Sequence, residues 1–310
     1  MALLSIGIHN GDEVLVADYT FPATGHSVLY CGATPIFIDI DLKTYNIDPN
    51  KIEENINDKT KAIIVVHTFG QPAKMNEITK IAKKHGLYLI EDAACAFGAK
   101  YGKRFVGTIG YVGCFSYHAR KGLTTGEGGM VVTNDEELAQ KIRHLSVFGM
   151  ETAWNRQKDE FYIPRFLDIG YNYKMSDITA AIGVAQMKKI EQIIDKKIEL
   201  AKYWDEKIKG MDFIEPPFLS KNVKHIYQSY VALIDKGIDR NKLIKNLGDK
   251  GVQCQIGTYS SHIQPVYKSN QACPNSLEVY ERAIALPIYY SMDIEDIDYI
   301  SIKLKECLRN

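Results

Sequence analysis

The chain has 310 residues, 45% of them hydrophobic and 25% charged, a composition suited to a globular protein with a large core and, at this length, to two domains. Lys plus Arg and Asp plus Glu each number 38, and that neutrality argues against a broad electrostatic partner such as nucleic acid or an anionic membrane. The six cysteines include no CxxC pair, which argues against a zinc site and for reduced thiols in a cytoplasmic protein, and no run approaches the ~20 apolar residues of a membrane span.

The N-terminal MALLSIGIHNGDE carries no basic leader, and its apolar run is short for a signal peptide. LVADYT, TPIFIDID, KAIIVVHTF, LYLIED, GCFSYH and GGMVVTND then read as short strands rich in Val, Ile and aromatics. Between them, DPNKIEENIND predicts a helix with Asp48 as cap and Pro49 in the first turn. NEITKIAKKHG predicts another, with Ile78, Ile81 and Ala82 on one face and Gly86 as its stop. The alternation predicts an α/β domain with a mostly parallel sheet and helices on both faces. From Ser176 an apolar stripe runs through Ile182, Ile190, Ile194, Trp204 and Ile208 and predicts one long helix over 176–209, ended by Gly210. The remainder reads as a smaller α+β domain. IYQSYVALID and VQCQIGTY are its expected strands, and 239–250, 275–284 and 293–307 its expected helices. The pair Pro216 and Pro217 places the boundary, giving a large domain over 1–215 and a small one over 216–310.

The chemistry is concentrated in GCFSYHARKGLTTGEGG, residues 113–129. A lone lysine is most often solvated surface. Lys121, however, follows a strand, and ligands in open α/β sheets gather beyond the strands' carboxyl ends. The TTGEGG turn after it lets backbone approach closely. LYLIEDAACAFGA, a second apolar strand, also ends in an acid, Asp92, followed by small residues. An amine and a carboxylate at two strand ends suit pyridoxal 5'-phosphate: the amine takes its aldehyde, and the carboxylate keeps its ring nitrogen protonated. Ser116 offers the phosphate a hydroxyl at the same strand end. A nucleotide loop in GLTTGEGG is disfavoured, because the lysine-plus-hydroxyl ending of a P-loop is missing.

GDEVLVADYTFPATGHSVLYCGATPIFIDID, HTFGQPA, IEDAACAFGA, GCFSYHARKGLTTGEGGMVVTND, GYNYKMSD and the SSHIQPVY region follow one another in order. With them the chain resembles the sugar aminotransferases of the DegT/DnrJ/EryC1/StrS family, over nearly its whole length. The resemblance implies the pyridoxal phosphate-dependent transferase fold of type I. It implies Lys121 as the Schiff-base lysine, Asp92 at the pyridinium nitrogen and Ser116 at the phosphate. Phe21 would stack on the ring, and Cys95 stands where many members have a glutamine near the ring hydroxyl. Asn172, in GYNYK, would reach the phosphate of a neighbouring subunit, so a homodimer with shared active sites is implied. His262, in SSHIQP, would line the substrate pocket. Lysine, where related dehydratases use histidine, implies transamination over dehydration.

The implied reaction moves an amino group, from glutamate, to a keto group on a nucleotide-linked sugar in two ping-pong half reactions, with no metal. Substrate choice would lie in variable loops such as 150–165. Family members also carry further residues before the equivalent of Met1, including a Gly-Thr turn at a helix N-terminus that clamps the phosphate. MALLSIGI resembles the tail of that helix, a stub that must pack on the sheet to persist. A second reading follows from this: an N-terminally truncated, catalytically weak relative acting as a binding or regulatory subunit.

Overall fold

The computed structural model describes residues 1–151 and 163–309. Among these residues the main sheet has six strands, in the order Thr34–Ile38, Glu13–Ala17, Thr60–Val66, Tyr88–Asp92, Val112–Ser116 and Gly129–Val132. The first five are parallel, and the last runs antiparallel against Val112–Ser116. All six expected strands of the first two thirds are present.

Alternation along the strands explains the layering, since successive side chains leave opposite faces. Val14, Val16, Ala62 and Ile64 join one core with Leu3, Val28, Leu138 and Ile142. Their neighbours Leu15, Ala17, Ile63 and Val65 join the other core with Met75, Ile78 and Ala82. Helices therefore cover both faces: Ala23–Leu29 and Glu136–Ser146 on the first, Met75–Lys84 on the second. The N-terminal stub forms the short helix Ala2–Ser5, and it does pack on the sheet, with Ala2, Leu3 and Ser5 buried.

Two expected helices differ from the structure. Residues 48–58 form only two 3-10 turns, Pro49–Lys51 and Glu53–Asn55. Asp48 does cap the first, accepting from the amide of Asn50. Of the residues in these two turns only Pro49 is buried, with Ile52 between them, so there is no apolar face to sustain a longer helix. The helix expected over 176–209 is two, Asp177–Met187 and Ile190–Ile208, with the break at Lys188 and Lys189. Ile194, Trp204 and Ile208 of the second are buried. Among the described residues, none on the first is buried.

The helix Ile190–Ile208 serves two cores. Ile190 and Ile194 pack with Ala93, Ala96, Leu123 and Ile226 under the loops at the end of the main sheet. Leu200, Trp204 and Ile208 pack with Tyr230, Leu247 and Leu286. That second core lies on an antiparallel sheet ordered Ile214–Glu215, Tyr230–Ile234, Ala283–Leu286 and Gln255–Ile256. The strand Ala283–Leu286 replaces the end of the helix expected to 284, which stops at Arg282 because the AIAL run is drawn into the sheet. Two pieces of the C-terminal third return to the main domain: Val223–Lys224 pairs with Lys100–Tyr101, and Tyr259–Ser260 pairs with Tyr19–Thr20.

Candidate active site

Parallel register sets the first two groups side by side. Asp92 ends its strand opposite Cys114 of the next, and Ser116 closes that second strand two residues on. Beyond Ser116 the chain folds back on itself. Tyr117 N–H donates to Gly128 O at 2.9 Å, Thr125 N–H to Tyr117 O at 3.0 Å, and Lys121 N–H to His118 O at 2.9 Å. Gly126 has φ +84°, and at Gly128 a Cβ would lie 2.7 Å from the Thr125 hydroxyl, so the turn needs both glycines. This geometry turns the half-buried Lys121 side chain toward Cys95, and Nζ donates to Sγ at 3.1 Å. Burial pushes the Cys95 thiol up, while the Lys121 charge and hydrogen bond oppose that rise.

Asp92 is held from two directions. Its Oδ1 accepts from Ala94 N–H at 3.1 Å, and its Oδ2 accepts from the Thr24 hydroxyl at 2.8 Å. Its neighbour Glu91 faces the other way and organises the loop behind. Glu91 Oε2 accepts from Gly107 N–H at 2.7 Å, and Oε1 accepts from Ile109 and Gly110 N–H, each at 2.5 Å. His67 Nδ1 accepts from Ala73 N–H, so its Nε2 carries the proton given to Glu91 Oε2 at 3.0 Å. Burial alone would raise the Glu91 carboxyl, but the imidazole and the backbone amides hold it below the usual range.

Phe21 stands at the start of the helix Ala23–Leu29 with 65% of its surface exposed, its ring 6.3 Å from that of Tyr259. An exposed phenylalanine at this place offers an apolar face to a planar ligand. Asn172 is exposed and touched by Lys174 Nζ, in an isolated bridge to Val147. His262 is tied down: its N–H and Nδ1 bind the two oxygens of Asp18 at 2.6 and 2.8 Å. Ser260 also donates to Asp18, at 2.7 Å. Asp18, His262 and Cys273 bring ligand-type atoms within 4.8 Å of one another, but the serine and imidazole hydrogen bonds already satisfy that carboxylate without a cation. Of the loop 150–165 expected to read the substrate, residues 152–162 lie outside the described residues.

Sequence reasoning misses three supports of this site. Thr24 touches Asp92 across 68 positions of sequence. Lys197, buried on the helix Ile190–Ile208, donates to Gln228 O at 2.8 Å, and Gln228 Nε2 donates to Arg120 O at 3.3 Å, next to Lys121. Phe69 and Gly70, in the HTFGQPA motif, adopt φ +54° and +93° and receive Gln228 and Ile226 N–H. The tight HTFG turn is the one sequence signal pointing to them.

The donor set fits pyridoxal 5'-phosphate. A fixed, partly accessible carboxylate ends one strand, and a half-buried amine lies in the loop five residues beyond the end of the neighbouring strand, with small residues at Ala93, Ala94 and Ala96 following the carboxylate. The Ser116 hydroxyl lies at the same end, where it accepts from His118 N–H at 3.3 Å.

Comparison with known proteins agrees. The model of the DegT/DnrJ/EryC1/StrS aminotransferase family matches residues 1–305. An uncharacterized protein of Methanocaldococcus jannaschii is 40% identical over 307 residues, which cover 96% of this chain and 80% of that protein. The GDP-perosamine synthase of Escherichia coli O157:H7 is 38% identical over 307 residues, covering 99% of this chain and 82% of that protein. Among solved structures, PseC of Helicobacter pylori, an aminotransferase involved in the biosynthesis of pseudoaminic acid, matches with a TM-score of 0.91 at 28% identity. That match covers 99% of this chain and 84% of the other. The chain belongs to the DegT/DnrJ/EryC1/StrS aminotransferase family. Its fold is that of the pyridoxal phosphate-dependent aminotransferases, and pyridoxal 5'-phosphate is the cofactor of the family.

Proposed function

We propose that this member of the DegT/DnrJ/EryC1/StrS family is a sugar-nucleotide aminotransferase that takes an amino group from glutamate and gives it to a keto group on a nucleotide-linked sugar. The observation that carries the reading is the pair beyond two neighbouring strands: Lys121 Nζ, in the loop after Val112–Ser116 and half-buried against Cys95 at 3.1 Å, and Asp92, ending the adjacent strand and fixed by Thr24 and Ala94. The relative named GDP-perosamine synthase supports a nucleotide-linked amino sugar as the product class.

Bound pyridoxal 5'-phosphate supplies an aldehyde for the amine and a protonated ring that draws electrons from the carbon losing its proton. Lys121 Nζ would anchor that group covalently and, when free of it, would take up and return the proton in each half reaction. Asp92 would hold the proton on the ring nitrogen. Phe21 would cover a face of the ring and Ser116 would bind the phosphate, while the Cys95 side chain packs against the Lys121 amine.

The exposed Asn172 is assigned to the site of a second copy, which makes the working unit a homodimer. All six cysteines are free thiols, which suits a reducing compartment such as the cytoplasm. The intact lysine, aspartate and serine weigh against a purely binding or regulatory subunit.

The test is the visible absorption of the purified chain with added pyridoxal phosphate, followed by borohydride reduction and peptide mapping. The expected result is a yellow protein labelled on Lys121, bleached by glutamate with release of 2-oxoglutarate and restored by a keto-sugar nucleotide. Lys121→Ala should lose the label and roughly a thousandfold or more of turnover. Full turnover in that variant would remove the assigned mechanism.

A further inference from the structure

The hydroxyl that holds Asp92 belongs to a chain of groups with a fixed direction. Thr24 gives its proton to Asp92 Oδ2 at 2.8 Å. The Thr20 hydroxyl lies 3.0 Å from that of Thr24, so Thr20 must donate to Thr24 and not the reverse. Both threonines are buried, at 2% and 5% exposure, so no bulk water competes for these bonds. The run is Thr20 to Thr24 to Asp92.

The backbone that carries the two hydroxyls is gripped by the C-terminal third of the chain. Thr20 sits opposite Tyr259 in the two-stranded pairing. Tyr267 donates its hydroxyl to Pro22 O at 2.9 Å. The Tyr267 ring occupies the space left by Gly25, where a Cβ would fall 2.6 Å from the phenol oxygen. A single turn, Phe21 to Thr24, therefore presents both the exposed aromatic ring and the hydroxyl on Asp92, and Tyr267 sets its place.

We propose that Thr24 is a positioning residue for the cofactor: it fixes the plane of the Asp92 carboxylate so that a free lone pair meets the ring nitrogen, with Thr20 holding Thr24 in turn. The terminal torsion of an aspartate is broad and roughly twofold, so one strand end does not orient its carboxylate. Two donors from different directions do, Ala94 N–H on Oδ1 and Thr24 on Oδ2. Each oxygen keeps room for one more hydrogen bond. The proposal rests on the pyridoxal phosphate reading above.

The test compares Thr24→Val and Thr24→Ser in the full chain, alone and in an Asp92→Asn background. Three quantities are read: the dissociation constant for pyridoxal phosphate, the pH titration of the visible band, and the single-turnover rate with glutamate. Thr24→Val should weaken cofactor binding roughly tenfold or more, the usual scale for a lost hydrogen bond to a charged group. It should also shift the titration of the band, and Thr24→Ser should restore both to within about threefold of wild type. In the Asp92→Asn background, Thr24→Val should add less than about twofold, since the two act as one unit.

A wild-type response in Thr24→Val overturns the proposal. So does an equal loss in both backgrounds, which would place Thr24 in the stability of the fold alone. If the valine variant does not fold, Thr24→Ala is held to the same two outcomes. A wild-type chain that takes no label at Lys121 would remove the cofactor reading and this proposal with it. A labelled wild type with a silent Thr24 removes only the latter.

Discussion

Lys197 is a lysine buried where a lysine is expensive, with 8% of its surface exposed and Nζ donating to the carbonyl of Gln228. Burial pulls its ammonium down to about 8 from an ordinary value of 10.5, with nearby Cys95 opposing the fall. Below about 8 the group is charged in both the folded and the unfolded chain, and the folded state carries the full cost of desolvating it. Between about 8 and 10.5 the unfolded chain still binds the proton and the folded one does not, so folding becomes more favourable as pH rises. At about 1.4 kcal/mol for each pH unit between those two values, the gain is at most about 3 kcal/mol. Denaturant melts of wild type and Lys197→Met at pH 7 and pH 10 isolate this group, because the other titrations are common to both proteins. The wild type should improve relative to the variant at the higher pH. A constant difference would show that Lys197 does not shed its proton in the folded state. At this scale the sequence is legible only in part. Asp92 can be read because it ends an apolar run and a strand, and Lys121 because it follows the end of the next strand within five residues. Thr24 and Lys197 cannot, because their partners, Asp92 and Gln228, lie 68 and 31 positions away and no local pattern marks them. His262 is legible as a residue in a motif, but its bond to Asp18, 244 positions off, is a product of the fold.

Strands and turns position these groups through close backbone contact, and the strand Val112–Ser116, which leads to Ser116 and Lys121, is tightly constrained. A Cβ on Gly113 would lie 1.9 Å from Gly107 O. Backbone cannot rotate away as a long side chain can, and the Gly107 amide is itself held by Glu91. Gly113→Ala must push the strand and the 106–110 loop apart, which costs about 1–3 kcal/mol or more by the scale of overpacked interiors. It should lower the melting temperature by several degrees and weaken cofactor binding as the strand end moves. Gly237→Ala, with nothing within 4 Å of the added carbon, is the matched control and should melt near wild type. Equal melting of the two variants would mean that the strand and loop have slack the packing does not suggest. Element by element, short runs rich in Val, Ile and aromatics in the first two thirds name all six sheet strands, because both faces of the sheet are buried and the runs are apolar nearly throughout. The long apolar stripe after Ser176 is read less well. Its first half is more hydrophobic than its second, and apolar steps run through both, so the pattern joins them, yet the chain breaks at Lys188 and Lys189 and, among the described residues, only the second half finds a core.

That unburied half governs the largest scale. The helix Asp177–Met187 leaves Ile178 at 77% and Val184 at 61% exposure, and the nearby segment leaves Ile169 at 95% and Phe166 at 64%. Single exposed apolar residues are ordinary, but several this exposed within 166–184 are what an interface with another subunit would leave open in one copy. Asn172 lies in the same stretch of chain and is itself exposed, with Lys174 beside it. A second copy covering this surface would bury the apolar helix and bring the partner's Asn172 toward a phosphate. Twofold pairs are also the commonest homo-oligomers, and an isologous contact doubles every group it uses. The wild type should therefore sediment as a dimer at micromolar concentration. Ile178→Asp, placed where burial of a charge would be costly, should shift it toward monomer. Pyridoxal phosphate affinity should fall in the same variant, because each site then lacks the neighbour's asparagine. Asn172→Ala should lower that affinity while leaving the sedimentation unchanged. The two variants thus separate assembly from the contact that assembly delivers. A monomeric wild type with full cofactor affinity would assign the apolar helix to some other partner and leave Asn172 with no part in the site.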